Sequence, residues 1–263
     1  MGKGYTLITG GSEGIGKEMA RNCAEKGMNI LLVALDNDAL PAAAEEIRNS
    51  YDVDVDYFGI DLCQLGAGQQ IYDWTVAKGY EVHTLINNAG LGASGYFEKI
   101  PLEKTLNLVL LNNYVSVALT HLFLPGMKAR GFGHIMGTSS IEGILIMPYK
   151  AIYSASKRFL YSFYLSLRTE CKRAGVKVSV LCPGPVPTSA DVKNRIAMHG
   201  KKSVLLVRSV EEVGRTAVEG MLSNRGIIIP GRFLRVIIMA SWILPFRLKM
   251  FFQERFSRKY AEE

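Results

Sequence analysis

A glycine-rich turn between a strand and a helix constrains this chain more than any other feature. Residues 5–9 (Tyr-Thr-Leu-Ile-Thr) read as a short buried strand, and residues 10–16 follow as Gly-Gly-Ser-Glu-Gly-Ile-Gly. Residues 17–26 then have helical spacing, with Met19, Cys23 and Ala24 on one face. Glycines permit the tight reversal and let the main chain approach a pyrophosphate, which the positive end of the helix attracts. The turn predicts a nucleotide site, with Thr9, Gly10, Ser12, Glu13, Gly14, Ile15 and Gly16 as candidate contacts. A turn with only a structural job would use the same residues; the strand–turn–helix setting favours the ligand.

The alternation continues along the chain. Strands are expected at residues 29–34, 53–60, 83–86, 134–140, 176–182 and 226–229, and helices at 39–49, 65–78, 101–130, from Tyr153 to about 173, and 209–223. The unbroken apolar run at 29–34 suits a parallel strand covered on both faces. No linker or internal repeat interrupts the pattern, which predicts one α/β domain. Hydrophobic residues make up 48% and charged residues 21%, enough for a sizeable core.

Polar residues at strand ends mark further candidates. Asp61 follows the third strand, where its carboxylate would accept a hydrogen bond from an adenine amino group or cap a helix. Asn88, Ala89 and Gly90 close the fourth strand, as a ligand crevice or a plain turn requires. Asn112 and Asn113 interrupt an apolar helical face of Leu106, Val109, Leu110, Val115, Ala118, Leu119 and Leu122, and buried amides need partners. Pro183, Pro185 and Pro187 stop any helix and hold a rigid loop over the strand ends. Tyr153 and Lys157 stand one helical turn apart, so the ammonium would favour the phenolate and bring the tyrosine toward proton transfer at working pH.

Charge and composition exclude several classes. Cys23, Cys63, Cys171 and Cys182 are scattered, and His83, His121, His134 and His199 lack ligand spacing, so no metal and no disulfide framework is expected. The net charge of +7 sits at the C-terminal end, where residues 192–263 hold 14 Lys+Arg against 6 Asp+Glu. Such a tail suits phosphorylated cofactors, acyl thioesters or lipid head groups. No nucleic-acid-binding motif accompanies it, and no nucleic-acid partner is expected. The first strand is entered without a signal-like segment, and the longest apolar run near the C-terminus, residues 236–246, contains Pro245. That run is shorter than the about 20 residues a spanning helix needs. The expectation is a cytoplasmic protein, peripheral to a membrane if the tail binds one.

Taken together, Thr-Gly-x-x-x-Gly-Ile-Gly at 9–16, Asp61, Asn-Asn-Ala-Gly at 87–90, a helical Asn, Ser140, Tyr-x-x-x-Lys at 153–157 and Pro-Gly…Thr at 183–188 resemble the short-chain dehydrogenase/reductase family over residues 4 to 230. The resemblance implies a Rossmann-type doubly wound parallel sheet of about seven strands, in one domain. Residues 1–230 would form its catalytic part and 231–263 a helical extension. It also implies NAD(P)-dependent oxidation and reduction and assembly as a homodimer or homotetramer. By that resemblance Tyr153 is the proton donor or acceptor, and Lys157 lowers its pKa and holds the nicotinamide ribose. Ser140, preferred to Ser139, bonds the substrate oxygen. Asn112, preferred to Asn113, ties a water chain to Lys157. Thr188 meets the nicotinamide amide, with Pro183, Gly184 and Val186 beside the coenzyme.

The choice of coenzyme stays open. Relatives using NADP commonly carry Arg or Lys where this chain has Glu13 and Leu35-Asp36, and two carboxylates would repel a 2′-phosphate. NAD users commonly place Asp at the end of the second strand itself, where this chain has Ala34 or Leu35. The residues lean to NAD(H), whereas similar reductases lean to NADP(H).

The stretch Gly226-Ile-Ile-Ile-Pro-Gly231 and the basic, apolar end are similar to long-chain 3-oxoacyl, 3-ketosphinganine and 17β-hydroxysteroid reductases. A lipophilic carbonyl or alcohol substrate is expected, with Ile141, Ile144, Leu145, Ile146 and Met147 as pocket candidates. In residues 233–256 apolar side chains alternate with basic ones, ready to lie on a membrane, to pack on the enzyme's own substrate loop or to meet a partner subunit. Two other readings compete: a dinucleotide-binding sensor or scaffold without turnover, and a reductase of small polar ketones.

Overall fold

Asn29–Ala34 (β2) is buried at every position, as a strand inside a doubly covered sheet must be. The computed structural model describes residues 4–188 and 206–261, apart from the side chains of Trp242 and Lys259; His199 lies outside the described residues. Among these residues β2 joins Tyr5–Thr9 (β1), Val55–Gly59 (β3), Val82–Asn87 (β4), Gly133–Thr138 (β5), Val176–Leu181 (β6) and Ile227–Ile228 (β7). All pairings are parallel, in the order β3-β2-β1-β4-β5-β6-β7.

Helices cover both faces of the sheet. Gly14–Glu25 (α1), Ala39–Ser50 (α2) and, later in the chain, Val210–Leu222 pack on one face around Ile8, Leu32 and Met136. Ala67–Ala77 (α3), Val115–Arg130 (α5) and Ala151–Cys171 cover the other around Leu7, Leu85 and Val178, with Leu102–Val109 (α4) packed against Ala151–Cys171. The four-residue helix Ile141–Ile144 is α6, Ala151–Cys171 is α7 and Val210–Leu222 is α8. Arg232–Ile243 (α9) and Phe246–Ser257 (α10) follow β7.

Several boundaries move for physical reasons. Helix α1 starts at Gly14 rather than residue 17, because the glycine turn itself winds the first helical turn. Strand β5 ends at Thr138, and Ser140 caps the unforeseen α6 by accepting from the Glu142 amide at 3.1 Å. Between α4 and α5, Leu110–Tyr114 forms a π-helical turn. Its extra residue shifts the helical phase, so the single apolar face drawn through both helices does not hold: Leu106 and Val109 are exposed. The run Leu102–Arg130 is long and apolar enough to cross a membrane, yet its α5 part lies on the sheet with Val115, Leu119 and Met127 buried, and Leu108 of α4 is buried as well.

Candidate active site

Strands β1 and β4 are neighbours although two strand–helix units separate them in sequence. The chain turns to opposite sides from this point, which opens a crevice at the strands' C-terminal ends. Thr9 and Asn88 fasten its floor. Thr9 Oγ1 accepts from the amides of Asn88 (2.9 Å) and Ala89 (3.1 Å), and Asn88 Nδ2 donates to the carbonyls of Thr9 (3.2 Å) and Gly10 (3.3 Å). These two predicted contacts therefore work first by fixing the turns' shape.

Above them the glycine turn is built for close approach. Gly10 (φ 64°) and Gly14 (φ 56°) occupy the left-handed region that favours glycine, and a Cβ on Gly16 would overlap the Gly10 carbonyl oxygen. Glu13 stands at the start of α1 without capping it, so among the described residues no side-chain cap meets the first-turn amides. An uncapped helix end behind a glycine turn fits a diphosphate. Ser12 is half-buried, Glu13 is exposed, and Ile15 packs on the core below.

The catalytic candidates meet on the other bank. Lys157 is buried, its Nζ donates to the Thr138 carbonyl at 2.9 Å, and it lies 5.8 Å from the centre of the Tyr153 ring. Burial lowers the lysine pKa from its ordinary value to about 8. A Cβ on Gly90 would stand 3.0 Å from both Lys157 Nζ and Asn112 Oδ1, so these three residues share one spot.

Asn112 is fully buried in the π turn. Its Oδ1 accepts from the Leu91 amide (2.8 Å), while Nδ2 donates to the Leu91 carbonyl (3.1 Å) and to Ser156 Oγ (3.0 Å). Asn113 donates instead to the Ser156 carbonyl at 2.9 Å. The two serines divide in the same way. Ser139 Oγ donates to the Lys157 carbonyl at 2.7 Å and so braces α7. Ser140 Oγ accepts the Glu142 amide and keeps its proton to offer a substrate oxygen.

The proline loop ties both banks together. The Ile141 amide donates to the Pro183 carbonyl at 3.0 Å, Leu234 of α9 lies against Gly184, and Val186 is buried. The Thr188 methyl group comes within 3.4 Å of where a Cβ on Gly14 would stand, so this loop reaches back over the start of α1. Asp36 and Asp61 belong to another part of the crevice, at the ends of β2 and β3. With β5 three strand spacings from β2 and four from β3, Asp36 stands about 14 Å and Asp61 about 19 Å from the serines along the sheet. The Asp36 carboxylate lies over Gly59, and Asp61 accepts the Cys63 amide at 2.9 Å in a local turn, whereas α3 starts from Gly66.

Other residues of the site left little trace in the sequence. The Thr138 carbonyl and Ser156 hold Lys157 and Asn112, and neither position stood out by type. Tyr149 has a left-handed backbone (φ 61°), unusual for a non-glycine residue, and its carbonyl accepts the Gly95 amide at 2.8 Å. Lys150 pairs with Glu142 at 2.9 Å and sits over the Tyr260 ring at 3.9 Å, which brings the chain's far end beside Ser140. Of the five apolar pocket candidates, Ile144 and Met147 are spent on internal packing, while Ile141, Leu145 and Ile146 keep accessible surface.

A cleft of about 220 Å³ between Tyr72, Tyr80, Phe123 and Arg130 lies at the opposite ends of the strands and holds none of these groups. Among the described residues no cluster of His, Cys, Asp and Glu is placed to hold a metal.

Comparison with known proteins agrees with this geometry. Residues 5–199 match the sequence model of the short chain dehydrogenase family. A very-long-chain 3-oxoacyl-CoA reductase of Anas platyrhynchos is 35% identical over 190 residues, which are 70% of this chain and 60% of that protein. The chain thus spans less than two thirds of the length of such curated relatives. A short-chain dehydrogenase from Sphingobium yanoikuyae in complex with NADPH superposes with a TM-score of 0.79 at 26% identity, over 90% of this chain and 91% of that one. A 7beta-hydroxysteroid dehydrogenase shares the fold at a TM-score of 0.85 and 24% identity, over 99% of this chain and 97% of that one.

Proposed function

Because this chain belongs to the short-chain dehydrogenase family, we propose that it interconverts a carbonyl and a secondary alcohol on a lipophilic substrate, with NAD(P)(H) in the crevice between β1 and β4. The single observation that carries the reading is the convergence of Gly90, Asn112 and Lys157 next to Tyr153. The bound coenzyme would supply or accept a hydride at the carbonyl carbon. Its diphosphate would rest on the glycine turn and the uncapped end of α1, and its ribose hydroxyls would lie on Lys157.

Tyr153 would pass the proton at the substrate oxygen while Ser140 donates a hydrogen bond to the charge that develops there. Asn112 is fixed by its three bonds to Leu91 and Ser156, and the Lys157 ammonium is held by the Thr138 carbonyl beside the phenol. The exposed carboxylates of Glu13 and Asp36 would disfavour a 2′-phosphate and so favour NAD(H).

The substrate class is supported by the apolar surface left by Ile141, Leu145 and Ile146 beside Ser140 and by the 3-oxoacyl-CoA reductases among the relatives. We extend the proposal to a cytoplasmic homodimer or homotetramer, peripheral to a membrane if the basic, apolar C-terminal helices bind one.

The test is the initial rate of NADH and NADPH oxidation against a long-chain 3-oxoacyl thioester, a 3-ketosphingoid base, a 17-ketosteroid and a short polar ketone. Tyr153→Phe should bind coenzyme normally and turn over about 10²–10⁴-fold more slowly. Full activity in that variant would refute the mechanism. Flat traces for all four carbonyls, with both coenzymes bound, would favour a dinucleotide sensor.

A further inference from the structure

The two C-terminal helices are coloured the wrong way for a surface in water. Helix α9 buries Leu234, Ile238 and Ser241, and its opposite stripe, at spacings of three and four, is Val236, Met239 and Ile243. These outward residues are 62%, 63% and 87% exposed. In α10 the inversion is complete. The buried stripe is polar, Gln253 and Ser257, while Leu248, Phe251 and Phe252 face out. A helix packed for water would place these groups in the reverse order.

The charges around this face identify its occupant. Arg232, Arg247, Arg255 and Arg258 stand exposed around the apolar stripes, and none forms an ion pair among the described residues. Glu254 is the one acid in residues 231–261. A second copy of the chain docked face to face would set like charges against each other. An anionic lipid surface would neutralise them, with the arginine stems lying along the apolar layer and the guanidinium groups at the phosphates. Each helix has 12 residues. At about 1.5 Å per residue that is roughly 18 Å, too short for a hydrocarbon layer of about 30 Å, so the pair lies in the interface.

We propose that the outward face of α9 and α10 docks the protein on an anionic phospholipid surface, with the arginines at the head groups and Val236, Ile243, Phe251 and Phe252 in the acyl boundary. The docked face adjoins the reaction centre. Leu234 of α9 packs on Gly184 of the proline loop, and Tyr260, just after α10, lies under Lys150, whose partner Glu142 gives its amide to Ser140. An apolar substrate leaving the bilayer would enter beside this contact. That route rests on the reductase reading; the docking does not.

The experiment is flotation of the 263-residue protein with vesicles of phosphatidylcholine, alone or mixed with phosphatidylglycerol, alongside its solution mass and its turnover of the four carbonyls named above. The protein should float with the mixed vesicles and stay behind with phosphatidylcholine alone. Each cation at an anionic surface is worth about fivefold in partition, so Arg247→Gln with Arg255→Gln should weaken binding roughly 25-fold. Phe251→Asp with Phe252→Asp should abolish it while circular dichroism stays unchanged. Equal binding to both vesicles, no binding to either, or a phenylalanine variant that floats like the parent would overturn the proposal. So would a parent that ignores vesicles but has twice the mass of the phenylalanine variant, which would make this face a contact between copies. Vesicle binding without turnover would leave the docking standing and remove the reductase reading; turnover without vesicle binding would do the reverse.

Discussion

Lys157 offers the sharpest physical test, because burial and charge oppose each other in one side chain. Its Nζ is enclosed beside the Thr138 carbonyl, and desolvation brings its pKa from 10.5 to about 8. In the unfolded chain the lysine returns to its ordinary value. Between these two values the unfolded state binds the proton more tightly, so stability rises with pH across that window. Below about pH 8 both states are charged and the fold carries the whole desolvation cost. Above 10.5 both are neutral and the cost is gone. A depression of this size corresponds to about 3 kcal/mol.

The perturbation is Lys157→Met, which keeps the volume and removes the charge. The variant also loses the bond to Thr138; the part of that bond that changes with protonation is already contained in the depressed pKa, and the rest only offsets the curve. Urea unfolding of both coenzyme-free proteins from pH 7 to 11 gives the difference in stability. The parent should gain about 3 kcal/mol on the variant as pH rises through the window. A difference that stays flat, or that moves the other way, would refute the claim that the ammonium is held against its desolvation.

Two further pairs of substitutions test how the site divides its labour. Asn112→Ala removes three hydrogen bonds from a fully buried side chain and should cost about 2–4 kcal/mol in urea unfolding, together with turnover. Asn113→Ala, which removes one, should cost about 1 kcal/mol; equal losses at the two positions would contradict the assignment. Ser140→Ala should lower turnover by about 10²–10³-fold at nearly unchanged coenzyme affinity. Ser139→Ala should instead lose about 1 kcal/mol of stability, measured by denaturation, and keep its turnover.

Much of this protein was legible in its sequence because its signals are local. The continuous apolar strands and their alternation with amphipathic helices specify a doubly covered parallel sheet, since strands buried on both faces cannot lie elsewhere. The glycine turn follows from backbone sterics within eight residues, and the Tyr153–Lys157 spacing from one turn of a helix.

What tertiary structure decided is of another kind. The π turn that gives Asn112 and Asn113 different partners, and that exposes Leu106 and Val109, depends on packing against α7 rather than on helical periodicity. The split between Ser139 and Ser140 depends on which hydroxyl meets the Lys157 carbonyl as β5 leaves the sheet. The Glu142–Lys150–Tyr260 contact joins residues more than a hundred positions apart. The sequence alone left the basic, apolar tail three partners: a membrane, the enzyme's own substrate loop or another subunit. Only the burial of Gln253 and Ser257, with Phe251 and Phe252 turned outward, shows which side of α10 meets the protein, because a repeating pattern fixes a helix's two faces but not which of them finds the core.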